Sequence, residues 1–249
     1  LTPATGLNGN TTVNISVSDG FTTVETSFAL TVKISLGLVF ADDFSYVDGP
    51  IFNNSEVWFH ASSGAGTSGE MQVVDGAVVL DNALTEDVMA NLTNGPFASS
   101  TGVVLYCSFT LSNSALPSVS GTYFMHYRDT VGGSNFRGKL FASTTNAASG
   151  TFRIGIANSA NAIDAASQFP LDLGSNDTCT VVTRYNVGTG ESRLWINPNS
   201  EDDLSVGASD SPLPSLVGSI SLREDSTGGS AGIRTLDNLK IGTSYTDVM

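Results

Sequence analysis

The sequence predicts an all-β protein whose main body is a two-sheet antiparallel sandwich. Short segments that alternate apolar and polar residues recur at intervals of roughly 10 to 20 residues from Phe40 onward, with turn residues between them. No segment keeps the 3.6-residue period of an amphipathic helix. The composition agrees, because 26 Gly residues and only 14% charged residues favour short strands and turns over charged helices.

Turn chemistry orders the predicted strands of the main body. Asp75-Gly76 joins one pair of strands and residues 186–190 join another, so both pairs are predicted to be antiparallel hairpins. The predicted strands are 71–74, 77–80, 103–111, 122–128, 137–143, 151–157, 179–187, 192–196, 219–223 and 233–241.

The N-terminal segment predicts a separate β-hairpin. Val13, Ile15 and Val17 alternate with polar residues, Asp19-Gly20 turns the chain, and a second alternating run follows. Its last strand resembles the Phe-x-Leu-x-Val strand that closes a cadherin-like or immunoglobulin-like module. A lone hairpin is marginally stable in water, so it must pair with something else. We therefore divide the chain into a hairpin appendage, residues 1–36, and a sandwich, residues 37–249.

Charge and hydropathy exclude two classes of partner. Ten basic against 24 acidic residues give a formal charge of −14, whereas a nucleic-acid site needs clustered Lys and Arg. The longest apolar stretches are far too short to cross a bilayer, so no membrane insertion is expected. The sequence leaves open whether Cys107 and Cys179 form a disulfide or are free buried thiols.

The order of several short motifs resembles the concanavalin A-like jelly-roll domains, of the laminin-G-like type found in secreted and surface proteins of bacteria. The resemblance covers about 210 residues and implies that an opening Asp-Phe strand pairs with a closing Asp-Asn-Leu strand. Together with the composition it predicts a secreted or cell-surface location. The motifs lie at 43–49, 86–88, 106–109, 123–127, 153–156, 181–185, 194–198 and 236–241.

The resemblance also implies a structural calcium ion where the first and last strands meet. The matching positions are Asp43 and Asp237, with Asp42, Asp48 and the Glu86-Asp87 pair as further candidate ligands. Carboxylate and carbonyl oxygens are the ligands that Ca²⁺ prefers. The alternative is that these carboxylates only cap turns or form surface ion pairs.

Catalytic motifs are not recognisable, and we predict that the protein is not an enzyme. Glycoside hydrolysis on this fold needs paired carboxylates on one strand, but no glutamate has another within five residues. The only histidines, His60 and His126, stand outside any Gly-x-Ser-x-Gly context.

Sugar binding is predicted from aromatic and polar side chains, because sugar rings stack on aromatic faces and their hydroxyls bond to polar groups. The alternative for each aromatic residue is a place in the core. In the run 123–127, strand alternation places Phe124 and His126 on one face and the other residues opposite. The candidates are Trp58, His60, His126, Arg128, Arg137 and Trp195, followed by Tyr123, Tyr127 and Phe136.

Two functions remain open from the sequence. The first is a non-catalytic adhesion or glycan-binding module whose partner is a glycan or another extracellular protein. The second is a subunit of an extracellular filament or surface layer, in which the hairpin adds strands to a neighbouring copy. The hairpin could instead pack on its own sandwich as extra edge strands.

Overall fold

The computed structural model describes residues 9–32, 36–61, 71–81, 83–130, 133–224 and 232–249. By its contacts the chain divides into two compact units, Leu1–Leu36 and Gly37–Met249. Within the described residues, no helix is both long enough and apolar enough to cross a membrane.

The first unit is the predicted hairpin. Strands β1 (Gly9–Ser18) and β2 (Thr23–Val32) pair antiparallel along their whole length, with Val17 opposite Val24 and Val13 opposite Phe28. Asp19 organises the turn, since one of its carboxylate oxygens accepts hydrogen bonds from the backbone N–H groups of Phe21 and Thr22. The resemblance of this hairpin to a cadherin-like module stays a prediction.

The second unit contains sixteen strands and two short helices among its described residues. The helices are α1 (Ile51–Asn54) and α2 (Tyr245–Val248), and single 3-10 turns lie at Ser99–Thr101 and Ala165–Ser167. The strands are β3 (Leu38–Asp42), β4 (Gly49–Pro50), β5 (Phe59–His60), β6 (Gln72–Val74), β7 (Ala77–Leu80), β8 (Asp87–Asn91), β9 (Val104–Ala115), β10 (Thr122–Arg128), β11 (Phe136–Ser143), β12 (Thr151–Ala157), β13 (Leu173–Gly174), β14 (Thr178–Asn186), β15 (Ser192–Ile196), β16 (Val206–Gly207), β17 (Ser219–Arg223) and β18 (Ile233–Gly242).

These strands form two antiparallel sheets. One has seven strands in the order β13-β12-β11-β10-β17-β8-β5. The other has the order β16-β15-β14-β9-β18-β7-β6-β4, and β3 pairs with β18 beside it. Leu239 on the last strand lies opposite Asp42 on the first, as the sequence predicted. The prediction of an all-β, two-sheet antiparallel sandwich is therefore confirmed.

Every long strand predicted from the sequence is present, with bounds within a few residues. Both predicted hairpins are confirmed, since β6 pairs with β7 and β14 pairs with β15. The strands that the prediction omitted are β4, β5, β8, β13 and β16, of which only β8 exceeds two residues. The four two-residue strands lack enough alternation to be recognised, whereas β8 is a five-residue strand between β17 and β5.

The core fills the space between the two sheets with apolar side chains from both. Phe109 of one sheet meets Phe124 of the other edge to face, with ring centroids 6.5 Å apart. Cys107 and Cys179 belong to this core as free thiols. They lie on neighbouring strands but out of register, because Cys107 is opposite Thr183 and Cys179 is opposite Leu111. The question left open by the sequence is thus answered in favour of buried free cysteines.

Bulges in β10 and β11 change which side chains face the core. The register between these strands shifts twice, between Tyr123 and Met125 and between Met125 and Tyr127. On β11, Gly138 has a φ of 57°, in the left-handed region where glycine carries no steric penalty. Consequently both Phe124 and Met125 belong to the core, and the alternation predicted for this run is wrong.

Candidate functional site

The outer surface of the seven-stranded sheet carries a cluster of aromatic and basic side chains. The bulges turn Tyr123 and His126 of β10 to the side opposite the core, and on β11 they bring Phe136 to the same side as Lys139. Arg223 joins them from β17, the strand that pairs with the other edge of β10. We call this set the cationic–aromatic face; its members are Tyr123, His126, Arg128, Phe136, Lys139 and Arg223.

His126 lies at the centre of this face, between two aromatic rings. Its imidazole is 4.2 Å from the ring centroid of Phe136 and 5.4 Å from that of Tyr123. Phe141 packs on the far side of Tyr123, at 5.7 Å. Tyr123 and Phe136 are half-buried, whereas His126 is 1% exposed. The His126 ring therefore contacts two aromatic rings directly, and a third ring, that of Phe141, packs on Tyr123.

Three basic side chains lie over the two half-buried rings. The guanidinium carbon of Arg223 is 4.4 Å and the Lys139 Nζ 4.8 Å from the ring centroid of Tyr123. The guanidinium carbon of Arg128 is 5.0 Å from the centroid of Phe136. These distances are within the range of cation–π attraction, so the rings stabilise the cations, of which Arg128 and Lys139 are buried at 6% and 4% exposure.

Several buried polar atoms on this face lack a hydrogen-bond partner within the described part of the chain. They are both ring nitrogens of His126 and the hydroxyls of Ser219 and Ser221. Ser221 lies directly opposite His126 on β17, and Ser219 lies opposite Arg128. Buried polar groups are normally satisfied, which makes these atoms candidates for hydrogen bonds to a water molecule or a polar ligand.

The electrostatic environment keeps His126 neutral. Burial lowers the pKa of its imidazole well below the ordinary value, and the positive charges of Arg128, Lys139 and Arg223 lower it further. A neutral imidazole offers one N–H donor and one acceptor nitrogen, a pair that matches a sugar hydroxyl.

Four of the predicted binding residues, Tyr123, His126, Arg128 and Phe136, meet on this face. His126 and Arg128 are both members of it, although Arg128 already donates from Nη1 to the Ala61 carbonyl oxygen, at 2.7 Å, and from Nη2 to that of Gly133, at 2.6 Å. Arg137 points elsewhere because of the bulge at Gly138. Its Nε donates to the Leu213 carbonyl oxygen at 2.9 Å, so Arg137, a candidate binding residue, is not a member of the face.

The two tryptophans proposed for stacking are core residues. Trp58 is 1% exposed, lies against Phe40 and Phe44, and donates from Nε1 to the Asp42 Oδ2 at 2.7 Å. Trp195 is also 1% exposed and packs under α2 on the outer side of the other sheet. Neither has an open ring face for a sugar, which corrects the sequence prediction. Tyr127 likewise packs in the core, against Tyr185 at 5.8 Å.

His60 lies at the β5 edge of the seven-stranded sheet and contacts a buried carboxyl group instead of joining the cluster. Its Nδ1 is 2.7 Å from the Oε1 of the fully buried Glu86, and its ring stacks on Phe52 at 3.7 Å. Glu86 also accepts a hydrogen bond from the backbone N–H of Met71 at 2.7 Å. The pair joins β5 to the segment that precedes β6, which is a structural role.

The two candidate calcium ligands are Asp43, which follows β3, and Asp237, which lies on β18, the strand that pairs with β3. Asp43 follows β3 and accepts a hydrogen bond from the Ser45 backbone N–H, while Asp237 accepts two from Asn238. Asp43 borders a cavity of about 340 Å³ that Lys240 also lines. Nowhere in the described part of the chain do three His, Cys, Asp or Glu side chains converge as metal ligands. Calcium binding stays a prediction.

A second cavity, of about 460 Å³, lies beside β15 and β16. It is lined by polar side chains that include Arg184, Glu191 and Arg193, and no aromatic ring contributes to its wall. Its Asp210 carboxylate is engaged by backbone N–H groups of residues 158–160. The cavity thus lacks the stacking surface that the cationic–aromatic face provides.

No protein-family model matches the chain, and no curated protein matches its sequence. Among solved structures, lectin II from Ulex europaeus is similar with a TM-score of 0.47 and 15% identity, over 82% of this chain and 97% of that lectin. Peanut lectin with a 9mer peptide is similar with a TM-score of 0.45 and 16% identity, over 75% of this chain and 96% of that lectin. A sialidase is similar with a TM-score of 0.45 and 14% identity. The match covers 95% of this chain and 21% of the sialidase chain. The likeness concerns the fold alone.

Sequence reasoning missed two members of the face, Lys139 and Arg223. Both lay inside predicted strands, but simple alternation along β11 places Arg137 and Lys139 on the same side. The signal that could have separated them is Gly138, because an isolated glycine inside a strand often marks a bulge.

Proposed function

We propose that this protein is a non-catalytic, extracellular glycan-binding module that holds its saccharide on the cationic–aromatic face. The observation that carries the proposal is the position of His126 and Ser221. Both residues carry buried polar atoms that are unpartnered among the described residues; they lie opposite each other on β10 and β17, and the His126 ring lies beside the rings of Tyr123 and Phe136. A saccharide needs this combination of ring surface and hydrogen-bonding groups.

A binding role fits this face better than glycan hydrolysis. Cleavage of a glycosidic bond needs two carboxyl groups that flank the bond at fixed separation. Among the strand positions that the structure describes on this surface, Asp87 is the one acidic residue, and it lies 4.0 Å from Arg223. The described strand positions of this face therefore supply cations and rings for binding, without the pair of carboxyl groups that this hydrolytic mechanism needs.

A glycan array followed by titration of the best ligand tests this proposal. We expect Tyr123→Ala and Phe136→Ala each to weaken binding about fivefold to tenfold, because each removes a stacking surface. Phe21→Ala is the matched control, since Phe21 is 99% exposed at the tip of the separate hairpin. Binding that is equal in wild type and both face variants, or no binding to any glycan, would overturn the proposal.

A second candidate function rests on the hairpin. Its β1–β2 face that carries Ile15, Val17, Val24 and Phe28 is apolar, and these side chains are 44–69% exposed. The opposite face consists mainly of Ser, Thr and Asn. An exposed apolar face beside two strand edges favours addition to a sheet of another copy, in a filament or surface layer.

Light scattering and negative-stain imaging, with residues 1–36 present and deleted, decide on this second function. Polymers that form only with the hairpin support strand addition between copies. A protein that is monomeric in both forms excludes it, and polymers that survive the deletion exclude the hairpin as the connecting element.

A further inference from the structure

Strand β1 of the hairpin lacks the features that usually protect the edge of a sheet. Its residues, Gly9–Ser18, include no charged residue and no proline, and its ten pairs with β2 run without a bulge. Strand β2 carries one charged residue, Glu25. Proteins commonly blunt an exposed edge with lysine, proline, a bulge or a very short strand. Among the described strands β2 is the one partner of β1, so the other edge of β1 can receive a further strand.

The sandwich, by contrast, has blunted edges. The strands at the ends of its two sheets are β13, β5, β16 and β4, and each is two residues long. The strands next to them have at most seven residues, and β3, which pairs with β18 beside the larger sheet, has five. None of these described strands offers ten consecutive residues to β1. The strand that matches β1 in length and lacks charge is β1 of a second copy.

The area of the hairpin favours pairing edge to edge over stacking face to face. One face of two ten-residue strands measures about 34 Å by 10 Å, so two stacked faces would bury roughly 700 Å². Stable interfaces bury about 1,200–2,000 Å². Edge pairing instead adds a ladder of backbone hydrogen bonds and joins two hairpins into one four-stranded sheet. A sheet with an apolar face needs about three strands or more to be stable in water, and the lone hairpin has two.

The side-chain pattern of β1 indicates the register of such a pair. Because side chains alternate along a strand, the apolar residues of two antiparallel copies share one face only when odd-numbered positions oppose odd-numbered ones. A two-fold axis at Asn14 places Val13 of each copy opposite Ile15 of the other. An axis at Val13 would instead leave Val17 opposite Gly9, which has no side chain to contact. The register centred on Asn14 therefore gives the better apolar pairing.

We propose that two copies of this protein join through their β1 strands, antiparallel and edge to edge about an axis at Asn14, into a sheet of the order β2-β1-β1-β2. This inference rests on strand addition, the second function proposed above, and names the strand that accepts β1. A two-fold contact uses the same surface on both copies and closes on itself, so it yields a dimer. A filament would need a second contact, for which the outer edge of β2 remains.

Cysteine cross-linking of the full chain tests the contact. Asn14→Cys places one thiol of each copy at the axis, where opposite residues have Cα atoms about 4.5–5.5 Å apart, a separation that a disulfide spans. Ser27→Cys is the matched control, since Ser27 lies directly opposite Asn14 on β2 and both are exposed. We expect mild oxidation to give covalent dimers of Asn14→Cys and few of Ser27→Cys. Wild type, whose Cys107 and Cys179 are buried, should give none.

Charge variants measure the same contact by analytical ultracentrifugation. Asn14→Lys places two like charges opposite each other at the axis and should weaken dimerisation about fivefold. Asn14→Glu should weaken it as well, whereas an equimolar mixture of these two variants should dimerise at least as tightly as wild type, because opposite charges then meet. Ser27→Lys adds the same charge one strand away from the contact and should leave the dissociation constant nearly unchanged.

The outcomes separate this contact from strand addition in general. Wild type that stays monomeric at its highest soluble concentration would overturn both. Assemblies that need residues 1–36, but that Asn14→Cys does not cross-link and Asn14→Lys does not weaken, would overturn the β1 contact and leave strand addition at another edge intact. Equal cross-linking of Asn14→Cys and Ser27→Cys would reflect random collisions and would also overturn the β1 contact.

Discussion

The guanidinium of Arg234 lies over the ring of Phe124 in the interior of the sandwich, with its carbon 4.2 Å from the ring centroid. Arg234 is 0% exposed, and none of its three guanidinium nitrogens has a hydrogen-bond partner among the described residues. Asn113, directly opposite on β9, is buried and unpartnered in the same way. The two sheets thus enclose a guanidinium to which no carboxylate or carbonyl oxygen of the described residues is hydrogen-bonded.

This arrangement predicts that Arg234→Met stabilises the protein. Replacing a buried charge by an apolar side chain of similar length should raise the free energy of unfolding by roughly 1–4 kcal/mol. Urea unfolding measures this change, and Arg193→Met on the exposed surface is the control. A variant less stable than wild type would show that the interior charge has a partner outside the described residues.

The same residue predicts a pH dependence. Burial lowers the pKa of Arg234 to about 9, below its ordinary value of 12.5. Above pH 9 the unfolded chain retains the proton that the folded protein loses, so wild-type stability should rise with pH relative to Arg234→Met. The stability difference between the two should therefore narrow from pH 8 to pH 10.

Replacing Trp58 should destabilise the protein more than replacing Trp195, because the two indole N–H groups have different hydrogen-bond partners. The Trp58 Nε1 donates to a carboxylate oxygen of Asp42 at 2.7 Å, whereas the Trp195 Nε1 donates to the Glu201 backbone oxygen at 3.3 Å. Bonds to charged groups contribute about 1.5–3 kcal/mol and ordinary ones about 1 kcal/mol. Trp58→Phe should lower the free energy of unfolding by about 1 kcal/mol more than Trp195→Phe. Equal losses in thermal unfolding would contradict this ranking.

His126 should remain neutral in the folded protein at mildly acidic pH. Its pKa is lowered well below 6.5 by burial and by three nearby cations, so its ring proton resonances should not titrate between pH 8 and pH 5 in NMR spectra. The unfolded chain binds a proton at this residue as the pH falls through about 6.5, so stability should decrease there. His126→Phe should reduce that decrease, and a resonance that titrates near pH 6.5 would refute the assignment.

The two cysteines should be inert in the folded protein. Burial raises the pKa of the Cys179 thiol to about 12 and that of the Cys107 thiol higher still, so little reactive thiolate forms at neutral pH. Thiol reagents should label neither residue natively and both after unfolding. A mass increase of about 2 Da on reduction would instead reveal a disulfide.

The positions of most strands could be predicted from the sequence, because apolar–polar alternation and turn residues act over only a few positions. Thr122–Arg128 and Thr151–Ala157 have the predicted bounds, and the pairing of the opening strand with the closing strand was expected from the resemblance to a known family. The candidate site was predicted only in part. His126 and Arg128 belong to it, but Trp58 and Trp195 were assigned to it because sequence does not report how deeply a ring is buried.

The sequence by itself determined the all-β class, the hairpin of residues 9–32 and most strand bounds, since each depends on contacts close along the chain. Only the tertiary structure decided which side chains form the cationic–aromatic face. The bulges near Met125 and at Gly138 reverse the facing of their strands, so Phe136 joins Lys139 while Arg137 turns away. A bulge is fixed by pairing between strands, so Arg223, distant in sequence, meets Tyr123 only when the sheet is complete.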